Sequence, residues 1–286
     1  MLCSRFAVQR KLHEALFGDI WLCCDRQDAN RVVAVKQVHL DRVRQAFTRT
    51  FQLDNPWSEG YTLNSLQLLE PHENVLQTLD QFLEGDTWFI VMEFCDGGDL
   101  CQTLESLPQH RLPEVEVLPL FLQIVRGVRW LHSNGIAHRD LSLENVLLSR
   151  SNGDGDGATA TAKICDFGLS TEAERVCHER VGKAYYMAPE VVAGSAYDPR
   201  AADVWSLGII LFVLLTGSPL VPIASEIEAG FTALQEFGVE RVVGAWHMDE
   251  LLTPAVVDLL GGMLQVDPRA RLSVEEVMAH PALQLP

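Results

Sequence analysis

The greasiest stretch of the chain, Leu207 to Leu215, falls far short of the roughly 20 residues that cross a bilayer, so a buried helix is expected there and no membrane span. Positive charge is scarce: 22 Lys and Arg stand against 39 Asp and Glu, a formal net charge of −17. A chain this acidic is repelled by nucleic-acid phosphates and by anionic membranes. It would attract a basic peptide, although an acidic surface also serves solubility alone. Paired cysteines are missing too. The seven cysteines, at 3, 23, 24, 95, 101, 165 and 177, form no CxxC framework. Their odd number points to a reduced, intracellular setting, cytoplasmic with the nucleus left open, and away from a disulfide scaffold. Met1 to Phe6 has no long apolar core and does not read as a secretory signal.

What is present is enough for a core. The chain has 286 residues, 48% of them hydrophobic, and a mean hydropathy of +0.07. That suits a folded protein of one large domain or two lobes. Phe6 to Leu12, Asp19 to Cys23 and Val32 to Val38 are β-prone runs between polar turns. Asn55-Pro56-Trp57-Ser58 opens a helix on which Leu63, Leu66 and Leu69 recur at helical spacing. Trp88 to Met92 reads as a buried strand, and Glu93 to Asp99 as a glycine-bearing hinge. Beyond Leu100 the pattern turns helical, with long helices over Val117 to His132 and Asp203 to Thr216. Ser151 to Thr161, rich in Gly, Asp, Ala and Thr, is expected to loop out. Asn152, Asp154, Asp156 and Gly157 mimic the opening of a calcium loop. Lys163 stands where its bidentate Glu belongs and strands flank it, so no calcium site is expected.

The chemistry sits in two short motifs. His138-Arg139-Asp140 opens a run that ends at Asn145, and Asp166-Phe167-Gly168 follows about twenty positions on, after an apolar hairpin. Asp140 and Asp166 are carboxylates and Asn145 an amide, hard oxygen donors set at fixed spacing. The order and spacing resemble the protein kinase family. The resemblance extends through Val33-Ala34-Val35-Lys36, Ala188-Pro189-Glu190, Asp203-Val204-Trp205 and Asp267-Pro268-Arg269-Ala270-Arg271, and so covers Phe6 to Pro281.

It implies an α+β, bilobal fold over residues 1–286. The N-lobe, about 1–93, would be an antiparallel β-sheet plus one helix; a hinge near 93–99 would lead to a mainly helical C-lobe, 100–286. It implies ATP and Mg2+ as cofactors and a protein hydroxyl as acceptor, without fixing an oligomeric state. The catalytic residues implied are Asp140, Lys36 and its partner Glu59, with Glu70 as the rival partner. Leu12, Gly18, Ile20, Ala34, Lys36, Met92, Glu93, Cys95, Asn145 and Asp166 would hold the nucleotide, and Asn145 and Asp166 the metal. Because the stretch from Glu59 to Asn74 is longer than is usual in the family, a helix or loop insertion is expected there. Asp203 would brace the catalytic loop, and Arg271 would pair with Glu190 as a structural ion pair. Leu141-Ser142-Leu143-Glu144 favours serine/threonine over tyrosine specificity, with Glu144 placed to meet a substrate arginine and a basic sequence context as one expectation.

Three departures stand out. The family's Gly-x-Gly-x-x-Gly reads His13-Glu14-Ala15-Leu16-Phe17-Gly18, which should stiffen the phosphate-covering loop. Ser142 replaces a lysine that usually touches the transferring phosphate, and Lys183 replaces a threonine. Either Lys183 supplies the missing charge from the activation segment or the two are unrelated drifts. Glu179 occupies the usual phosphosite before Gly182, so a permanent carboxylate can neutralise Arg139, unless it is merely a solvated acid. The glycine loop and Ser142 leave a pseudokinase scaffold as the alternative function. A kinase for a small metabolite is disfavoured by the Ala188-Pro189-Glu190 segment.

Overall fold

The computed structural model describes residues 4–29, 31–49, 56–150, 160–248 and 250–284. The calcium-like positions Asn152, Asp154, Asp156 and Gly157 lie outside the described residues, as do Cys3 and Asn55. The N-terminal part is a five-stranded antiparallel sheet of β1 (Phe6–Ala15), β2 (Gly18–Asp25), β3 (Arg31–His39), β4 (Thr78–Glu84) and β5 (Thr87–Glu93), ordered β1-β2-β3-β5-β4. Between β3 and β4 run α1 (Leu40–Arg49) and α2 (Pro56–Gln67). The remainder is mainly helical: α3 (Leu100–Glu105), α4 (Glu114–Ser133), then the short strands β6 (Ile136–Ala137), β7 (Val146–Ser149), β8 (Thr161–Ile164) and β9 (Thr171–Glu172). It finishes with α5 (Pro189–Ala193), α6 (Pro199–Thr216), α7 (Ala229–Ala245), α8 (Pro254–Met263) and α9 (Val274–Ala279). This is the bilobal α+β architecture expected, with one correction: two helices follow β3 where one was anticipated.

The pleat of β3 explains how the sheet serves a site. Successive side chains point to opposite faces. Val33 and Val35 pack with Phe6, Cys23, Phe89 and Val91 in a core of their own. Ala34 and Lys36 therefore share the other face, where β5 sets Met92 opposite Ala34 and Ile90 opposite Lys36. Ile90 belongs to the main core, with Leu63 of α2 and Phe167.

That main core is built on α4 and α6. Asp198 caps the first turn of α6 by accepting from Arg200 N, and Pro199 fits the position where a helix needs no N–H donor. α6 is long and apolar enough for a membrane by length and composition, but 78% of that window is buried inside the protein. Trp205 and Phe212 of α6 and Phe121 of α4 are fully buried. Beneath Trp205, Arg271 forks onto Glu190 at 2.6 and 3.0 Å, the ion pair expected from sequence. The connector after β5 is tied down as well: Gly97 N donates to Leu148 O, and Leu148 N to Gly98 O. The described cysteines are free thiols.

Candidate active site

The loop from β6 is set by a carboxylate below it. Asp203 of α6 is fully buried and accepts hydrogen bonds from His138 N, Arg139 N and His132 Nε2, each at 2.8 Å. Burial alone would push its carboxyl up; His132, then His138 and its amide, outweigh this and hold it below the usual range. The bracing supports strain. Arg139 and Asp166 both sit at φ +64°, a left-handed backbone costly for residues with a Cβ. His138 donates from Nε2 to Cys165 O at 3.0 Å and accepts from Asp140 N at Nδ1, so it fastens the loop to the residue before Asp166.

Asp140 and Asn145 meet across this loop. Asn145 Nδ2 donates to Asp140 Oδ2 at 2.8 Å and to Asp140 O at 2.7 Å. The other carboxylate oxygen, Oδ1, is buried with no hydrogen-bond partner. Burial pushes the Asp140 carboxyl up from its ordinary value, against the pull of Lys183, His138 and Asn145. A buried oxygen that is free to accept, on a carboxyl of raised basicity, is suited to proton abstraction. Lys36 Nζ lies 2.6 Å from Glu59 Oε1 and 4.0 Å from Asp166 Oδ1. Glu59 is buried on α2, whereas Glu70 lies exposed beyond the helix end, so Glu59 is the partner and Glu70 is not. Asp166 keeps about half of its side chain in solvent, and the burial it does have would raise its carboxyl. Lys36 first, then the Gly168 amide, His138 and Lys183 bring it below the ordinary range, so it stays ionised.

Residues 6–283 match the family model of the protein kinase domain. The chain belongs to the protein kinase family. Among relatives of the kinase domain, calcium-dependent protein kinase 12 of Oryza sativa subsp. japonica is 32% identical over 97% of the chain and 48% of the relative. The probable serine/threonine-protein kinases HSL1 and KCC4 of Saccharomyces cerevisiae are 32% and 34% identical, over 80% and 74% of the chain. The alignments span 14% and 19% of those two proteins, so the kinase domain covers half or less of the relatives named here. It is of the serine/threonine type.

The glycine loop of this kinase domain is a tight hairpin. Ala15 pairs with Gly18 and His13 with Ile20, leaving Leu16 and Phe17 as the turn. Phe17 is buried against Val38, Leu40 and Val43 of β3 and α1, and its carbonyl accepts from His39 N. The tip is thus anchored to the sheet. Gly18 has a packing reason to be glycine: a Cβ there would lie 1.8 Å from Gln37 O. Glu93 N is bonded to Gln77 O and its side chain to Lys163, so only its carbonyl is left for an adenine edge. Cys95, buried beside it, has its thiol pushed up to about 12, and Cys165 is pushed up as well, both by burial first.

The activation segment carries its own anion. Glu179 accepts from Arg139 Nη1 at 3.2 Å and from Arg175, and Tyr197 OH donates to its carbonyl. Burial would raise its carboxyl, but the backbone amides, Arg139 and Arg175 keep it low. Lys183 Nζ donates to Ser142 Oγ at 2.7 Å. One link was not anticipated. Thr62, three residues after Glu59 on the same face of α2, shares a buried 2.8 Å hydrogen bond with Ser170, whose hydroxyl also reaches Phe167 O. The spacing from Glu59 carried that signal.

Proposed function

We propose that the chain transfers the γ-phosphoryl group of ATP to serine or threonine hydroxyls of protein substrates, with Mg2+ as the metal. The observation that carries this reading is the Asp140 carboxylate, with one oxygen tied by Asn145 and the other buried and unpartnered. Asp140 Oδ1 orients the acceptor hydroxyl and takes its proton as the new O–P bond forms and the bridge to ADP breaks. Lys36, steadied by Glu59, holds the phosphates. Leu12, Ile20, Ala34 and Met92 line the adenine site at residues 93–99 between the two lobes, where the Glu93 carbonyl and the Cys95 backbone meet the base edge; Gly18 closes the hairpin above.

The donor set fits magnesium. Asn145 commits its amide nitrogen to Asp140, which leaves its carbonyl oxygen for a cation, and Asp166 is an ionised carboxylate. Among the described residues no cluster of three or more His, Cys, Asp or Glu could hold an ion by itself. Two protein oxygens suffice for Mg2+, which takes most of its remaining ligands from phosphates and water. When bound, it would neutralise phosphate charge. Lys183, on Ser142, supplies the cation that Ser142 lacks. The free thiols suit a reducing intracellular setting.

One observation favours a second reading, a pseudokinase scaffold: the hairpin lacks two glycines and its tip is anchored by Phe17. The test is radiolabelled transfer from Mg-ATP to protein and peptide acceptors, beside nucleotide binding by thermal shift. Transfer to serine or threonine supports the enzyme. Nucleotide binding without transfer to any acceptor would turn the reading to the scaffold.

Glu179 makes a separate prediction. A permanent carboxylate on Arg139 orders the segment without phosphorylation, so phosphatase treatment should leave the rate unchanged. Glu179→Gln should lower kcat about tenfold, because it strips the anion from a largely buried guanidinium. The Glu179 carboxyl is depressed in the fold. Its stabilising contribution is therefore complete above pH 4.5 and is lost as pH falls further through the folded value. Limited proteolysis of the segment across that range checks the sign.

A further inference from the structure

Lys183 touches two groups. Besides Ser142 Oγ, its Nζ lies 3.4 Å from Glu144 Oε2. Its reach is limited by the backbone: Gly182 is at φ +97° and packs so close to the catalytic loop that a Cβ would stand 2.8 Å from Arg139 O. Ser142 is fully buried, so the ammonium is held at the inner end of its contact, while Lys183 and Glu144 each keep about two-fifths of their side chains in solvent, 37% and 43%. Glu144 sits in the turn Leu143–Asn145, which follows Asp140 in the chain and packs against α3. Its charge raises both the Tyr186 hydroxyl and the Cys101 thiol of α3 after burial has done so. Gly182 borders the open oxygen of the catalytic carboxylate, a Cβ there standing 3.6 Å from Asp140 Oδ1, so Lys183 and the Glu144 it touches lie next to the point an acceptor must reach.

We propose that Lys183 is a specificity residue of this site. It cancels Glu144, so a cationic side chain near the acceptor hydroxyl gains nothing, and the substrates are serine/threonine segments with no arginine requirement. The inference rests on the phosphotransfer reading above. A free carboxylate there would attract a substrate guanidinium, which binds carboxylates bidentately. Here that guanidinium must displace an ammonium that stays tethered a few ångströms away on Ser142, so repulsion from Lys183 offsets attraction to Glu144. Exposed pairs of this kind are weak, and unmasking one is worth about fivefold in affinity.

The test walks a single arginine along the positions flanking an acceptor serine and compares kcat/KM with the arginine-free parent peptide. Wild type should show a ratio close to unity throughout. Lys183→Met should raise the ratio about fivefold at the positions that reach Glu144, through KM, and adding Glu144→Gln should erase the gain. Lys183→Arg keeps the cation and should keep the wild-type ratio. Because Lys183→Met can slow turnover, peptide affinity is also read by fluorescence anisotropy in an Asp140→Asn background, where the same pattern is expected. An arginine preference in wild type that Glu144→Gln alone removes would overturn the proposal. So would a gain in Lys183→Met that survives Glu144→Gln, or no gain in either assay. Wild type that phosphorylates no peptide refutes the phosphotransfer reading instead, whereas transfer with an arginine preference refutes only the masking.

Discussion

Asp140→Asn is expected to reduce phosphoryl transfer by roughly a hundred- to ten-thousand-fold while leaving nucleotide binding and thermal stability close to wild type. The substitution preserves shape, and an amide oxygen can still accept from Asn145 Nδ2 as Asp140 Oδ2 does. What is lost is the second oxygen, buried and unpartnered, which becomes an amide nitrogen that cannot take a proton. Single-turnover transfer from labelled ATP measures the loss, and a rate within a few-fold of wild type would remove Asp140 from the role of base. The pH profile gives an independent check. The base works deprotonated, and burial lifts its carboxyl above the ordinary 3.8, so the acid limb of kcat should lie above that pH. Lys183 restrains the lift, so Lys183→Met should move the limb further upward.

The largest effect on stability is expected from Arg271→Ala. The guanidinium is fully buried, donates twice to Glu190 and also to Ala201 O and Gln265 O, and lies 5.2 Å from the centre of the Trp205 ring. Removing it strands a buried carboxylate and two carbonyls. The cost should be about 3–5 kcal/mol, read as a lower urea midpoint at unchanged slope. Arg271→Lys should recover only part of this, because an ammonium cannot reproduce the planar fork. A loss below about 1 kcal/mol would show the pair to be no more than a surface-grade contact.

Much of this was legible from residue order because the site is built from short fixed-spacing segments. Lys36, Asp140, Asn145 and Asp166 come together where the motifs imply, and Glu59 reaches Lys36 because Pro56 starts α2 three residues before it. Other parts were hidden for physical reasons. α1 is so polar that Leu40 and Val43 are its only core positions in the described side chains, too few to announce a helix by periodicity. Gly18 looked like the remnant of a phosphate loop. Its closeness to Gln37 O depends on strand register, which no local pattern reports. The contact of Lys183 with Glu144 was hidden likewise: the motifs relate Lys183 to Ser142 and Glu144 to a substrate arginine, and only the fold brings the two side chains to 3.4 Å.

The hydroxyl pair of Thr62 and Ser170 bears on which small molecules this cleft will accept. Ser170 is bonded at once to α2 and to the carbonyl of Phe167, and Phe167 is 2% exposed with its ring tilted against His138. A compound that fills the adenine site with Phe167 in place leaves those bonds intact. One that needs Phe167 swung out must break them in a dry environment and forfeit about 1–3 kcal/mol. Inhibitor selectivity on this chain should therefore favour the first chemotype, and Thr62→Val should narrow the gap between the two.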